Sequence, residues 1–409
     1  MFGQSKQRAQ SGDVQLSVTQ KNGVVAQDSL IEDGQRVVLA LSGTENFKRV
    51  EVDDFVISLR SFQGGIEWSR TSGCVSPAYT VLRAERPISQ AYWGYLFKSA
   101  AFITALRSVI DEGIRDGKSI TYAQFGETTT PYPPINEQEA IASYLDRATT
   151  RIDTLVAKKT RFIELLREKR QALITLAVTK GLDAGVPMKD SGVDWLGKVP
   201  EHWDVFRFKQ STTSCQNGLW GGDPNGTDDI ECVRVADFDR PSLSVNADIP
   251  TLRAITKKER VGRLLRRGNL LLEKSGGGES QPVGQVVLYD RESQAICSNF
   301  VAKIELANGM DSRFWNYQHH AAYVARVNVK SIKQTSGIQN LDQHQYLSEM
   351  AAFPSSEEQT AIADYLDRTT SRIDTLIAKT ERSIELLREH RTALITAAVT
   401  GKIDLRPAA

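Results

Sequence analysis

Apolar and polar positions along this chain follow two periods, and the longest coherent pattern occurs twice. The segment 137–179, EQEAIASYLDRATTRIDTLVAKKTRFIELLREKRQALITLAVT, returns at 358–400 as EQTAIADYLDRTTSRIDTLIAKTERSIELLREHRTALITAAVT, with 32 of 43 positions identical, no gap and a constant offset of 221. In the first copy Ile141, Leu145, Ala148, Ile152, Leu155, Lys159, Phe162, Leu166, Lys169, Leu173 and Leu176 follow one another at alternating steps of four and three. That spacing is a heptad seam and predicts one long helix per copy. The second copy keeps it through Ile373, Leu376, Leu387 and Leu394, with polar gaps in the middle. Start signals precede both: Pro133, Pro134 and Asn136-x-x-Glu139 in the first, Pro354 and Ser355-x-x-Glu358 in the second, each with capping-box spacing. If the helix is interrupted anywhere, a break is expected near 147–150. Residues expected to face the sister helix or a partner subunit are Ile152, Leu155, Phe162, Leu166, Ile373, Leu376, Leu387 and Leu394.

The regions before the helices are distantly alike. Tyr92-Trp93 with Tyr95 matches Phe314-Trp315 with Tyr317, and SPAYTVL from Ser76 matches SNFVAKI from Ser298, both at an offset of 222. LSVT at 16–19 matches VRVA at 233–236, and DFVISLRS from Asp54 matches NLLLEKSG from Asn269. Runs such as VVLAL, FVISL, NLLLE and QVVLY read as strands, and 89–110 and 311–326 as helices. Each half is therefore expected to be an α/β module followed by a long helix. The boundaries are 1–135 for the first module, 136–180 for its helix, 181–198 for a Gly-, Pro- and Asp-rich linker, 199–354 for the second module and 355–402 for its helix. A two-fold that superposes the halves reverses the helix directions, so the two long helices are predicted to pack antiparallel with pseudo-two-fold symmetry. The second module opens on Val199-Pro200-Glu201-His202-Trp203 and the first has no such opening, with only 15 residues before LSVT. The first module's opening strand is expected to be absent, the chain being either naturally short or truncated there.

Charge alters this picture little, because 51 basic and 50 acidic residues leave a net charge of +1. Any nucleic-acid surface must be local. The strongest local excess is 251–274, TLRAITKKERVGRLLRRGNLLLEK, with eight basic and two acidic residues, a run suited to phosphate contact. It supplies Arg263, Arg266, Arg267 and Lys274 as DNA-binding candidates. The Gly-containing loops LRSFQGG (Arg60, Ser61, Gln63) and KSIKQTSGIQN (Lys330, Lys333, Gln334) carry side chains that bond guanine and adenine edges, and Lys118 joins them. The four cysteines are scattered with no CxxC pair, so neither a zinc site nor a disulfide frame is suggested and reduced thiols are expected. The polar start MFGQSKQRAQSGD lacks a signal-peptide core, and the apolar stretch 91–110 is broken by Lys98 and Arg107. A cytoplasmic protein is the expectation.

No catalytic or metal-ligating set stands out. Gly276-Gly277-Gly278 has no Gly-Lys-Ser after it and reads as a flexible turn. Tyr132-Pro133-Pro134 lacks the Asn or Asp that an amino-methyltransferase places before its prolines, and Glu273-Lys274 lacks the rest of a nuclease signature. His319 and His320 have no third ligand and read as a partly buried helix face.

With its two EQxAIAxYLDRxTxRIDTLxAK helices, the phrase AVTKGLDAGVPMKDSGVDWLGKVPEHWDV from Ala177 and LRSFQGG, the chain resembles the specificity subunits of type I restriction-modification systems over nearly its whole length. The resemblance implies a non-catalytic subunit with two target-recognition domains, each reading one half of a bipartite site on double-stranded DNA. It implies conserved helices that set the spacing, two methyltransferase subunits docked on them and restriction subunits that join to translocate and cut. It also implies no cofactor on this chain, with S-adenosylmethionine on the partner. A type IIB specificity chain, a stand-alone DNA-binding regulator and an enzyme are the competing readings. Co-purification with a methyltransferase separates the regulator, and methyl transfer by the isolated chain would mark the enzyme.

Overall fold

The computed structural model describes residues 1–20, 22–32, 46–57, 65–109 and 121–404. They form two compact units: Met1–Arg161 with Thr380–Ala409, and Phe162–Lys379. The long helices are Ile135–Lys180 and Ser356–Val399, and each gives one part to each unit. In the first unit Ile141, Ala142 and Leu145 share a core with Ile395, Ala398 and Val399, and Arg391 Nε donates to Asp153 at 3.0 Å. In the second, Ile174, Ala177 and Val178 pack with Ile362, Ala363 and Leu366, and Arg170 meets Asp374 at 3.1 Å. In each unit the start of one helix therefore lies beside the end of the other, as an antiparallel pair requires. The offset of 221 turns Asp153 into Asp374 and Arg170 into Arg391. One ion pair is thus made twice with its roles exchanged, the pattern of an isologous contact between repeats.

The heptad reading of the seam is corrected. Ile141, Ile152, Ile163 and Ile174 in one helix and Ile362, Ile373, Ile384 and Ile395 in the other are each at most 7% exposed. They recur every 11 residues, a repeat of about 3.67 residues per turn that follows an α-helix more closely than 3.5 does. Ile152 and Ile373 satisfy both periods and are buried, and Leu166 is buried three residues after Ile163, whereas Leu155 (40% exposed), Phe162 (44%) and Leu376 (46%) stand outside the seam. Leu387 and Leu394 are half-buried, Leu394 against the first unit's core.

The helix starts also differ. Ser355 and Glu358 form the expected capping box, with both backbone N–H groups bonded at 3.2 Å. The first helix begins at Ile135, its Glu137 and Gln138 N–H groups bonded to Pro134 O, so Asn136 lies inside it. No break occurs at 147–150, where Thr149 Oγ1 donates to Leu145 O at 2.7 Å as hydroxyls in helices do. The region 89–110 is two helices, Gln90–Lys98 and Ala100–Ser108. Ser99 stands between them and accepts from Phe102 N at 3.2 Å.

In the second unit a six-stranded sheet runs in the order Thr212–Asn217, Val301–Leu306, Asn269–Glu273, Val286–Tyr289, Ser244–Val245, Phe238–Asp239. The first unit has Phe2–Gln4, Thr80–Ala84, Phe55–Ile57, Ile66–Trp68 in one sheet, with register partners that match the first four of those six through the repeat. Among the described residues of the first unit no strand answers to Asp204–Arg207, which follows the Val199 opening in the second, as expected; the first strand is Phe2–Gln4, in the place of Thr212–Asn217. Its Phe2 ring contacts Trp93, Phe97 and Phe125 at 5.0 to 6.2 Å, which are the repeat counterparts of Trp315, His319 and Tyr346 around Phe208.

The same contacts tie each module to its helix. Tyr95 OH donates to Asp146 at 2.7 Å and Tyr317 OH to Asp367 at 2.8 Å. Gln138 Oε1 accepts from Ser89 N at 3.0 Å, and Gln359 Oε1 from Asp311 N at 3.1 Å. Even a helix-end carbonyl is covered in both units by different chemistry: Tyr92 OH donates to Val399 O at 3.2 Å. In the second unit the Gln318 amide does this for Val178 O at 3.0 Å, in the orientation that also accepts from Ala352 N.

Candidate nucleic-acid interface

The strand Asn269–Glu273 is buried at all five positions because it runs through the middle of the six-stranded sheet. At its end Glu273 accepts from Arg240 Nη2 at 3.0 Å, and burial raises its carboxyl pKa. This explains the carboxylate structurally. The chain surfaces at Lys274, whose Nζ donates to Asn217 Oδ1 at 2.7 Å. It then forms a three-stranded ribbon: Ser275–Gly276, Ile338–Leu341, Ile332–Ser336.

Register sets polar residues in rows, Ser275 beside Asn340 beside Lys333, and Gly276 beside Gln339 beside Gln334. Gly337, with φ of 77°, makes the hairpin turn, and Ile338 at the tip is 57% exposed. Gly277 lies at φ 68°, where a Cβ would come within 2.4 Å of Val283 N. The glycine run is thus a tight, packed turn rather than a flexible one. Lys333 Nζ donates to Asp342 at 2.7 Å, which with backbone N–H donors holds that carboxyl down to about 2. Asn217, Asn340 and Lys333 are exposed and Lys274 half-buried. Exposed aromatic surface lies at Phe300, whose carbonyl accepts from Lys274 N at 2.8 Å, and at Trp220, which has the Arg253 guanidinium 4.5 Å from its ring centre. A two-stranded ribbon such as the hairpin Ile332–Leu341 is of a width the major groove admits, and amide, hydroxyl and ammonium groups are the chemistry that reads base edges there.

The basic run 251–274 is not one patch. Its buried final strand puts five residues of extended chain, at about 3.3 Å each, between Arg267 and Lys274. Arg266 lines a cavity of about 380 Å³ with Lys257, Arg260, Lys303 and Glu305. Half-buried Arg263 donates to Glu259 O at 3.0 Å, and exposed Arg267 to Glu292 at 2.9 Å. Lys330 is exposed at the foot of the ribbon, and Gln334 lies on its outer strand. Arg60, Ser61, Gln63 and Lys118 lie outside the described residues.

His319 is more buried than expected, whereas His320 is half-buried as expected. His319 stacks on Phe208 at 4.4 Å with Nδ1 2.9 Å from Tyr346 OH, and burial pushes it down to about 3 and His320 to about 4. Among the described residues no group of three His, Cys, Asp or Glu side chains could hold a metal ion, and no helix is long and apolar enough to cross a membrane. Asn217, Ser275, Asn340 and Trp220 were not singled out as candidates in the sequence, although Ser275 and Asn340 lie in the quoted segments NLLLEKSG and KSIKQTSGIQN. The Ser-Gly turn between polar runs at 332–341 was the signal for Asn340, and nothing local marked the others.

No family model matches the chain. It is 21% identical over 328 residues to the type I restriction enzyme StySPI specificity subunit of Salmonella potsdam, covering 79% of this chain and 67% of that one. It is 20% identical over 327 residues to the EcoKI specificity subunit of Escherichia coli (strain K12), covering 79% and 68%. A chain solved in work on assembly of the type I R-M system superposes with a TM-score of 0.67 at 15% identity, covering 87% of this chain and 84% of that one. In sequence and in fold the chain is similar to type I specificity subunits. The HsdS subunit from Thermoanaerobacter tengcongensis shares the fold at a TM-score of 0.51 and 16% identity, covering 87% and 83%. For a specificity subunit the repeat has a clear use: it supplies two frames with one design, whose exposed residues can diverge independently.

Proposed function

We propose that this specificity subunit reads a bipartite DNA sequence for a type I restriction-modification complex, one part through each unit. Modification subunits dock on its long helices and bring S-adenosylmethionine and the methyl-transfer chemistry, so that this chain contributes recognition and no catalysis. Restriction subunits join that assembly. The observation that carries the reading is the ribbon of the second unit, where Lys274, Ser275, Asn340 and Lys333 converge at one end of a rigid sheet. Docking on the helices is supported by Leu155, Leu165 and Leu386, which remain exposed beside a well-packed seam. Leu155 and Leu165 recur as leucine in the second copy, as two copies of one partner would require. Asn340→Ala in the complex with its modification partner tests the ribbon. A base-edge contact is worth about 1–3 kcal/mol, so cognate binding should weaken roughly fivefold or more and one half of the methylated sequence should relax. Unchanged affinity and an unchanged methylated sequence would remove the ribbon from the interface.

A further inference from the structure

The cavity of about 380 Å³ in the second unit carries positive charge that the protein does not balance. Of its lining residues Lys303 is 2% exposed, and its Nζ is committed to Gly262 O, to Leu264 O at 3.3 Å and to Glu305 Oε1 at 2.8 Å. The other Glu305 oxygen accepts from Ser214 Oγ at 2.8 Å. The one carboxylate of the cavity is thus satisfied from within. Among the described residues the side chains of Arg266 and Lys257 make no hydrogen bond or ion pair. Arg260 uses Nε on Ile255 O at 2.8 Å and Nη2 on Asp228 O at 2.7 Å, which leaves its Nη1. Three cationic groups without ion-pair partners therefore line one recess, and a recess of one sign concentrates ions of the other.

The fold does not require this surplus. Arg266 N donates to Asn269 Oδ1 at 2.8 Å, as Glu51 N donates to Asp54 Oδ2 at 2.9 Å in the first unit, so Glu51 stands where Arg266 does. Arg83 likewise stands where Glu305 does: each follows the residue, Leu82 or Ile304, that pairs with Phe55 or Leu270. Arg83 and Glu51 meet at 3.2 Å, a closed pair with the charges reversed. The second unit has a base in place of that acid and leaves it without a partner.

The recess lies beside the root of the ribbon. Lys303 is opposite Gln216 and Ala302 opposite Asn217 at the edge of the six-stranded sheet, and Asn217 is the acceptor of Lys274 Nζ. Phe300, whose carbonyl accepts from Lys274 N, precedes Lys303 by three residues, about 10 Å of extended chain. A ribbon seated in a major groove about 12 Å wide has a sugar-phosphate backbone on each side of it.

We infer that this recess holds a phosphate of the DNA backbone while the ribbon meets the bases, with Arg266 and Lys257 in contact and Lys303 shaping the recess. The inference rests on the second unit being a DNA reader and adds an anchor that the first unit lacks. Such a contact sets register and carries no sequence information.

The test uses the complex with its modification partner and duplexes of the methylated sequence in which single phosphates are replaced by neutral methylphosphonates. One position, in the half-site that belongs to the second unit, should weaken wild-type binding roughly three- to tenfold. Arg266→Ala should lose about as much on unmodified DNA and nothing further at that position. Its slope of log affinity against log salt should become shallower by about 0.9, one phosphate's share, on cognate and unrelated duplexes alike, with the methylated sequence unchanged. Both Arg266 and Lys257 are exposed, and Lys257→Ala repeats the measurement should Arg266→Ala disturb folding. An unchanged salt slope in both variants, or losses that add at every methylphosphonate position, overturns the inference. So does a relaxed methylated sequence, which would make Arg266 a reader of bases. Asn340→Ala reports on the ribbon separately: if it still weakens cognate binding while Arg266→Ala and Lys257→Ala do nothing, the anchor fails and the reading of the second unit stands.

Discussion

The 11-residue seam makes opposite predictions for two adjacent residues. Ile163 is 6% exposed and Phe162 is 44% exposed, whereas a heptad seam would bury Phe162. Ile163→Ala removes three buried carbons, about 2.4 kcal/mol at about 0.8 kcal/mol each. The void left in a packed seam brings the cost to about 2–4 kcal/mol. Phe162→Ala removes a larger side chain but little buried surface. Alanine's helix propensity returns about half a kcal/mol, so the net change should lie within about 0.5 kcal/mol of zero. A chain of two units need not unfold in one step, so the assay should be local: hydrogen exchange of peptides spanning 155–170, read as the free energy of opening. The reasoning fails if Phe162→Ala costs as much as Ile163→Ala.

Two further predictions concern buried charge and the exchanged ion pair. His319 titrates near 3 when folded, against an ordinary value of 6.5. The unfolded chain therefore binds the extra proton between those values, and this contribution to stability is complete above about pH 6.5 and lost progressively as pH falls toward 3. His319→Phe with Tyr346→Phe rebuilds the first unit's cage of Phe97 and Phe125 and should flatten the fall in melting temperature between about pH 7 and about pH 4, His320 leaving part of it; an unchanged slope would contradict this. Asp153 and Arg391 side chains are 56% and 37% exposed, so Asp153→Arg should cost about 1 kcal/mol or less. Adding Arg391→Asp should recover most of that loss, and failure to recover it in the same denaturation measurement would deny the pairing.

The long helices and the duplicated modules were legible because a pattern of more than forty residues, repeated at a fixed offset, leaves few alternatives. The period was harder. Steps of 3.5 and 3.67 residues coincide at Ile152 and separate by one residue at Phe162 and Ile163, too fine a difference for composition to reveal. The basic run misled because sequence shows charge density but not that Asn269–Glu273 is buried between its arginines and Lys274. Lys274 was named from that run and Lys333 from its loop. Asn217 meets Lys274 across 57 residues and Asn340 meets Ser275 across 65, distances that only strand pairing closes.

The central claim is that each unit reads its own part of the site. Exchange of residues 199–354 for the corresponding region of a related specificity subunit, followed by sequencing of methylated bases in a host that supplies the modification partner, tests it most directly. Base-edge contacts carry the sequence information and belong to separate frames. The account therefore predicts that one half of the methylated sequence changes while the other half stays as it was; a change in both halves, or in neither, would contradict it.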